Sequence, residues 1–283
     1  MAALTGVHGI GLHHRGRHQL LSTWEPALAD GLERALGQRV ERPELDLAFY
    51  GDLYLPDGGD RLKSGHGSLQ PDLEDLAEGE LDEVSAWLSE AMDPQDGPAE
   101  SAGGDKGYTR VPRPLQQLLR AFDRRFGAAA AVLYIGVLRQ VRRYLTDTEL
   151  KAAVDARVRE AVADDCRVLV GHSLGSVVAY EYLRQNPGHG ISILVTVGSP
   201  LGLRMVRDRI AVHALDVPVW AAVRDVRDPV ACAGPLRAWW PQIRGDDEPE
   251  VNNGGDAHAA ERYLSRRATG GLVLRGLPGL VGG

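Results

Sequence analysis

Cysteine is scarce in this chain, with 2 in 283 residues, Cys166 and Cys232. That count excludes a disulfide-stapled scaffold and suits two reduced packing residues, hence a cytoplasmic setting. A basic surplus is missing too: the formal net charge is −7, which argues against a general nucleic-acid binder. A membrane-spanning run is absent. The apolar stretch 126–138 is 13 residues long, short of the roughly 20 that a bilayer requires. No internal repeat is visible. The first apolar segment begins so close to Met1 that a secretory leader has no room. What is present is a length and a hydrophobic content of 43% that suit one α/β domain with a sizeable core.

The most informative segment is 168–175. The run Val168-Leu169-Val170 stops at Gly171-His172-Ser173-Leu174-Gly175, and a helical stretch, Ser176 to Arg184, follows at once. Strand, tight turn and helix are the setting in which G-x-S-x-G presents a strained, reactive serine Oγ. Glycines two before and two after the serine leave room where a Cβ would strike the neighbouring strand or helix. Among 34 glycines the pentapeptide alone is weak; its flanking strand and helix give it weight.

Strands and helices alternate elsewhere as well. Leu21, Trp24, Leu28, Leu32 and Leu36 recur at helical spacing, and Leu45 to Tyr50 reads as a strand. Ile191 to Val197 and Val217 to Val223 read as two more. Such alternation predicts a mainly parallel sheet with helices on both faces. The middle of the chain differs. Asp57 to Asp105 carries 14 acidic and 2 basic residues, and Lys106 to Leu145 carries 9 basic and 1 acidic. This reversal predicts either an internally paired insertion or a polar partner surface. Leu73, Leu76, Val84, Trp87 and Leu88 mark one helix face in it, and Leu115, Leu118, Leu119, Phe122 and Phe126 a second. Residues 94–106, rich in Pro, Gly and Asp, read as a loop.

Three further segments stand in order around the serine. Leu4-Thr5-Gly6-Val7 runs into His8-Gly9-Ile10-Gly11. Thr196 to Gly202 contains a Gly-Ser-Pro turn. Val217 to Val223 is followed by Arg224-Asp225-Val226-Arg227-Asp228-Pro229-Val230. With the Ser173 turn, these segments resemble the α/β-hydrolase superfamily, nearest its lipase-like group that includes GPI-inositol deacylases. The resemblance covers 1–55 and 165–268 and does not extend to 57–150. It implies an α/β-hydrolase fold trimmed of its opening antiparallel strands, with 1–283 a single catalytic domain and 57–150 a mostly helical insertion, a candidate lid.

The resemblance also implies a site. Ser173 is its nucleophile, and the amides of Ile10 and Leu174 are its oxyanion donors. Its acid lies after a later strand: Asp228 by the Asp-Pro-Val pattern, with Asp225, three residues earlier, as the rival that can instead brace the loop. The superfamily order Ser, Asp, His leaves His258 as the base, because it alone of 9 histidines follows Asp228. The expected activity is hydrolysis of an ester or thioester through an acyl-enzyme, on a small-molecule or lipid-like acyl substrate, with neither metal nor organic cofactor. The alternatives are a peptidase or amidase with the same triad, and a non-catalytic binding module of the same fold. Residues 106–145 are a candidate contact surface for a membrane or a protein. His13, His14 and His18 read as a polar loop beside the cleft rather than a metal site, since Arg15 and Arg17 stand among them. Trp239-Trp240 either lines the cleft or anchors the connection from acid to histidine.

Overall fold

Short runs of β-branched and leucine residues, each ended by a glycine or a polar turn, form the strands. The computed structural model describes residues 3–9, 15–41, 43–55, 78–92, 111–277 and 279. Six strands make one sheet: β1 (Leu4–Val7), β2 (Leu45–Ala48), β3 (Val168–His172), β4 (Ile193–Val197), β5 (Val219–Asp225) and β6 (Glu250–Val251). Their order is β2-β1-β3-β4-β5-β6, and every pairing among the described residues is parallel. The strand order turns back between β1 and β3. In open α/β sheets the loops at the carboxyl ends of two such strands diverge, and the crevice between them receives ligands.

Side chains alternate across the sheet with period two. Val168 and Val170 of β3, with Leu4, Leu45, Leu47, Ile193, Val195, Ala221 and Val223, face one core. It is closed by α1 (Arg17–Leu36), α8 (Ala260–Leu264) and α9 (Arg267–Leu274). Leu169, Leu194, Trp220 and Ala222 face the other core. That face is covered by α2 (Glu78–Ala91), α3 (Arg113–Phe126), α4 (Ala130–Thr146), α5 (Thr148–Ala161), α6 (Leu174–Gln185) and α7 (Arg204–Arg207). The class is therefore α/β, a parallel sheet with helices on both faces. On the first face α1 meets the α8–α9 corner through bare backbone: a Cβ on Gly270 would overlap the Gly31 carbonyl, and one on Gly31 would overlap that of Leu264.

The described part of the charge-reversed middle is helical and paired within itself. Arg139 Nε lies 2.6 Å from Glu80, and Arg142 Nη1 lies 2.7 Å from Glu83, so basic α4 is tied to acidic α2. In the apolar stretch, Tyr134, Ile135 and Leu138 are fully buried, while Leu133 keeps 44% of its surface. The helix thus has one core face and one outer face. Leu73, Leu76 and the expected loop at 94–106 lie outside the described residues. A buried polar cluster joins α4, α5 and α6: Tyr144 donates to Asp155 at 2.7 Å, Lys151 bridges Asp155 and Glu181, and Arg184 grips both Glu181 oxygens at 2.9 Å. No helix among the described residues is long and apolar enough to cross a membrane. Both cysteines are unbonded, Cys166 buried and Cys232 partly so.

Candidate active site

Ser173 stands between the last residue of β3 and the first of α6. Its backbone has φ 54° and ψ −126°, a conformation that costs a side-chain-bearing residue about 1–3 kcal/mol. The surroundings enforce it. A Cβ on Gly171 would come within 2.7 Å of the Gly175 oxygen and of Ser176 Cα, and one on Gly175 would overlap the Val7 carbonyl. Strand β3, helix α6 and strand β1 therefore close on the turn so tightly that neither glycine can be replaced. Ser176 Oγ donates to the Ser173 carbonyl at 2.6 Å and meets Ser199 Oγ at 2.7 Å, tying the turn to the Gly-Ser-Pro segment.

The chain brings Ser173, His258 and Asp228 into one line. His258 Nε2 lies 3.1 Å from Ser173 Oγ, and its Nδ1 lies 2.9 Å from each oxygen of Asp228. Ser173 is 1% exposed, Asp228 0% and His258 9%, so the hydrogen-bonded line is buried, with the imidazole its most exposed member. Burial alone would raise the Asp228 carboxyl. The adjacent His258, the Tyr263 hydroxyl and the Val230 N–H override it and hold the group below the ordinary carboxylate range.

Asp225 is equally buried but points elsewhere. Its carboxylate accepts the Arg227 N–H at 2.9 Å and the Asn253 N–H at 2.5 Å, with the Arg227 guanidinium at 3.3 Å. It ties the loop after β5 to the segment leading to His258, and the carboxylate that reaches the imidazole belongs to Asp228.

On the opposite side of the serine, Gly9 sits where a Cβ would lie 2.7 Å from Ser173 Cβ and 2.8 Å from His172 Nδ1. The loop after β1 therefore rests directly on Ser173. Ile10, expected to supply one oxyanion amide, lies outside the described residues, as do His13 and His14. Leu174 opens α6, so its N–H has no carbonyl within the helix to pair with. Trp240 is 2% exposed and packs its ring 5.5 Å from that of Trp220 and 5.9 Å from that of Tyr180, which makes it an anchor. Trp239 is more exposed and lies beneath the Arg207 guanidinium.

Three side chains around this line carry no motif that marks them in sequence. Tyr263 donates to Asp228 Oδ2 at 2.7 Å. His172 Nε2 lies 2.7 Å from the His258 carbonyl, which can only accept, so that nitrogen carries the proton. His8 accepts the Tyr50 N–H at Nε2, stacks on the Tyr50 ring at 4.2 Å, and receives the Tyr50 hydroxyl on its own carbonyl. Nothing in the sequence marks His8 or His172 as braces.

Both braces are held neutral. Burial lowers His8 to about 4, and burial together with nearby His258 lowers His172 to about 3. In the unfolded chain each takes a proton near the ordinary 6.5. Between 6.5 and these values the unfolded state binds more protons, so their contribution is complete above pH 6.5 and is lost as pH falls toward 4. Each adds a slope of about 1.4 kcal/mol per pH unit in that window. Denaturant unfolding at pH 7, 6 and 5 should therefore show a steep loss before ordinary carboxylates titrate, flattened in His8→Gln. Equal stability at pH 7 and pH 5 would remove this account of the two histidines.

No protein-family model, curated protein or solved structure matches the chain.

Proposed function

We propose that the chain is a serine hydrolase of the α/β-hydrolase fold, cleaving a carboxylic ester or thioester through an acyl-enzyme. The observation that carries this reading is the unbroken line from Ser173 Oγ to His258 at 3.1 Å and on to Asp228 at 2.9 Å, with Ser173 in a strained conformation at the head of α6. Strain at a buried serine has no packing purpose that a glycine would not serve better, and it is a recurring property of nucleophile turns.

The chemistry follows from the donors and acceptors. Asp228 fixes the proton of His258 on Nδ1, which leaves Nε2 with its lone pair toward Ser173. Nε2 takes the Oγ proton as Oγ attacks the acyl carbon. The carbonyl oxygen becomes an oxyanion, for which the Leu174 N–H at the start of α6 is a free donor, helped by the helix dipole. The imidazolium then protonates the leaving alkoxide or thiolate. Water, deprotonated by the same nitrogen, attacks the acyl-enzyme and releases the acid and the free serine.

Substrate access involves the helical middle segment. Cys232 of the loop after Asp228 lies 4.0 Å from the Tyr134 hydroxyl of α4, and Glu90 of α2 accepts the Arg204 N–H at 2.7 Å. Helices α2 and α4 thus reach the same end of the sheet as the triad, in keeping with a cover for an acyl chain.

The test is a fluorophosphonate probe followed by peptide mapping. The expected result is one adduct, on Ser173, formed faster at pH 8 than at pH 5. Absence of labelling on a folded sample would turn the reading toward a binding module. A parallel panel of esters, thioesters and anilides separates esterase from amidase: turnover of anilides above esters contradicts the ester assignment.

A further inference from the structure

Tyr263 is fully buried on α8, five residues after His258, and the acyl-transfer scheme leaves it without a part. Its O–H donates to Asp228 Oδ2 at 2.7 Å, and its oxygen accepts the Asp225 N–H at 2.9 Å. We propose that Tyr263 is a positioning residue: it locks the Asp228 carboxylate to the end of β5 and shares its charge, extending the triad to a relay of four side chains. This inference rests on the reading of Ser173 as the nucleophile.

The geometry gives each carboxylate oxygen its own clamp. Oδ1 accepts the Val230 N–H at 2.8 Å and Oδ2 accepts the phenol, so the plane that faces His258 is held at both ends. The phenol takes its own orientation from backbone, through the Asp225 N–H, and so transmits the position of the sheet to the acid. Space has been cleared for the pair. Gly198, with φ +54°, stands where a Cβ would lie 2.7 Å from Asp228 Oδ2 and 3.0 Å from the Tyr263 ring. Burial, and then the Asp228 charge, push the phenol far above its ordinary range, so it remains a donor at every working pH. The same segment therefore carries the base at its entry and the clamp of the acid one turn later.

Other ionisable groups face this relay. His172 packs on His258, Cys232 approaches Asp228, and Asp225 with Arg227 lies beside the phenol. Burial holds His172 near 3 and Cys232 near 12, so neither titrates between pH 5 and 9.

Tyr263→Phe keeps the ring and removes the donor. The readouts are kcat and KM on an activated ester across pH, and the His258 ring-proton titration followed by NMR. We expect kcat to fall about tenfold with KM within about twofold, since the clamp acts on chemistry and not on binding. The midpoint of the acidic limb should rise by about one pH unit, because an unshared carboxylate charge holds the imidazolium more strongly. Installing 3-fluorotyrosine at 263, a stronger donor of nearly the same shape, should move the midpoint the other way and covers the case in which the phenylalanine variant folds poorly. Tyr144→Phe, which loses a comparable bond to distant Asp155, should lower stability and leave the midpoint in place. An unmoved midpoint in both position-263 variants, with or without loss of rate, overturns the proposal and reduces Tyr263 to packing. If wild type neither labels nor turns over while the His258 titration still follows residue 263, the hydrolase reading fails and the clamp survives.

Discussion

Ser173→Ala should lower turnover of an activated ester by on the order of 10⁶ while leaving a folded protein. The loss is large because the remaining groups have no atom to attack with: His258 and Asp228 are left aligned on an empty position. The fold survives because the turn is held by its neighbours. Gly171 and Gly175 seat it against α6 and β1, and Ser176 binds the Ser173 carbonyl, which alanine retains. The serine hydroxyl makes its side-chain bond to His258, so alanine leaves one imidazole nitrogen unpartnered and nothing else. Thermal unfolding and kcat, measured on the same sample, check both halves. Near-normal turnover by a pure Ser173→Ala sample would end the serine-hydrolase reading.

Asp228→Asn is expected to cost about 10⁴ in kcat. The asparagine amide can turn its NH2 toward His258 Nδ1, which then must accept and give up its proton to Nε2. A protonated Nε2 faces Ser173 as a donor and cannot take the Oγ proton. Asp225→Asn should behave differently. It weakens the bonds from Arg227 and the Asn253 N–H and costs about 1–3 kcal/mol of stability, with kcat within about tenfold of wild type. Comparing the two variants in one assay decides the matter. If the Asp225 variant is the crippled one and the Asp228 variant turns over freely, the acid has been misassigned.

These two aspartates show where sequence reasoning runs out. Asp225 ends β5 and Asp228 lies three residues beyond it, and both are fully buried. Which one meets the imidazole depends on the turn closed by the Asp228 N–H on the Asp225 carbonyl and on where Asn253 falls, the latter a contact across 28 residues. The strands were easier to read, because parallel strands buried on both faces are unbroken apolar runs. Val168–Val170, Ile193–Val197 and Val219–Val223 carry that signature. Helix α5 went unassigned: its inner face is the narrow stripe Leu150, Val154 and Val158, with charged residues around it. Strand β6 is two residues long and pairs on one side of the sheet, too short to leave a pattern. The amphipathic stretches at 115–126 and 84–88 did become helices, since each buries its apolar side in the same core. The Asp228 clamp was invisible for a different reason. A tyrosine five residues past a histidine has no preferred partner in the chain itself; the partner arrives when α8 docks on α1 and turns the ring toward β5.

The sheet also acts as a partition with consequences for how this protein can change over time. His258 and Tyr263 enter from the side where α1, α8 and α9 meet through bare glycine backbone, a joint with no slack. Helices α2, α3 and α4 lie on the other side, where α4 packs over α5 and α6, and they join that core through ordinary apolar side chains. Substitutions on that second side can accumulate, swap sizes and reshape whatever cavity those helices border, because volume-conserving exchanges of such residues are tolerated. The first side has no comparable freedom. A lineage carrying this fold should therefore diversify fastest in 78–146 and slowest around Gly31, Gly270 and the 258–263 segment, so that one face is remodelled while the line of Ser173, His258 and Asp228 is left intact.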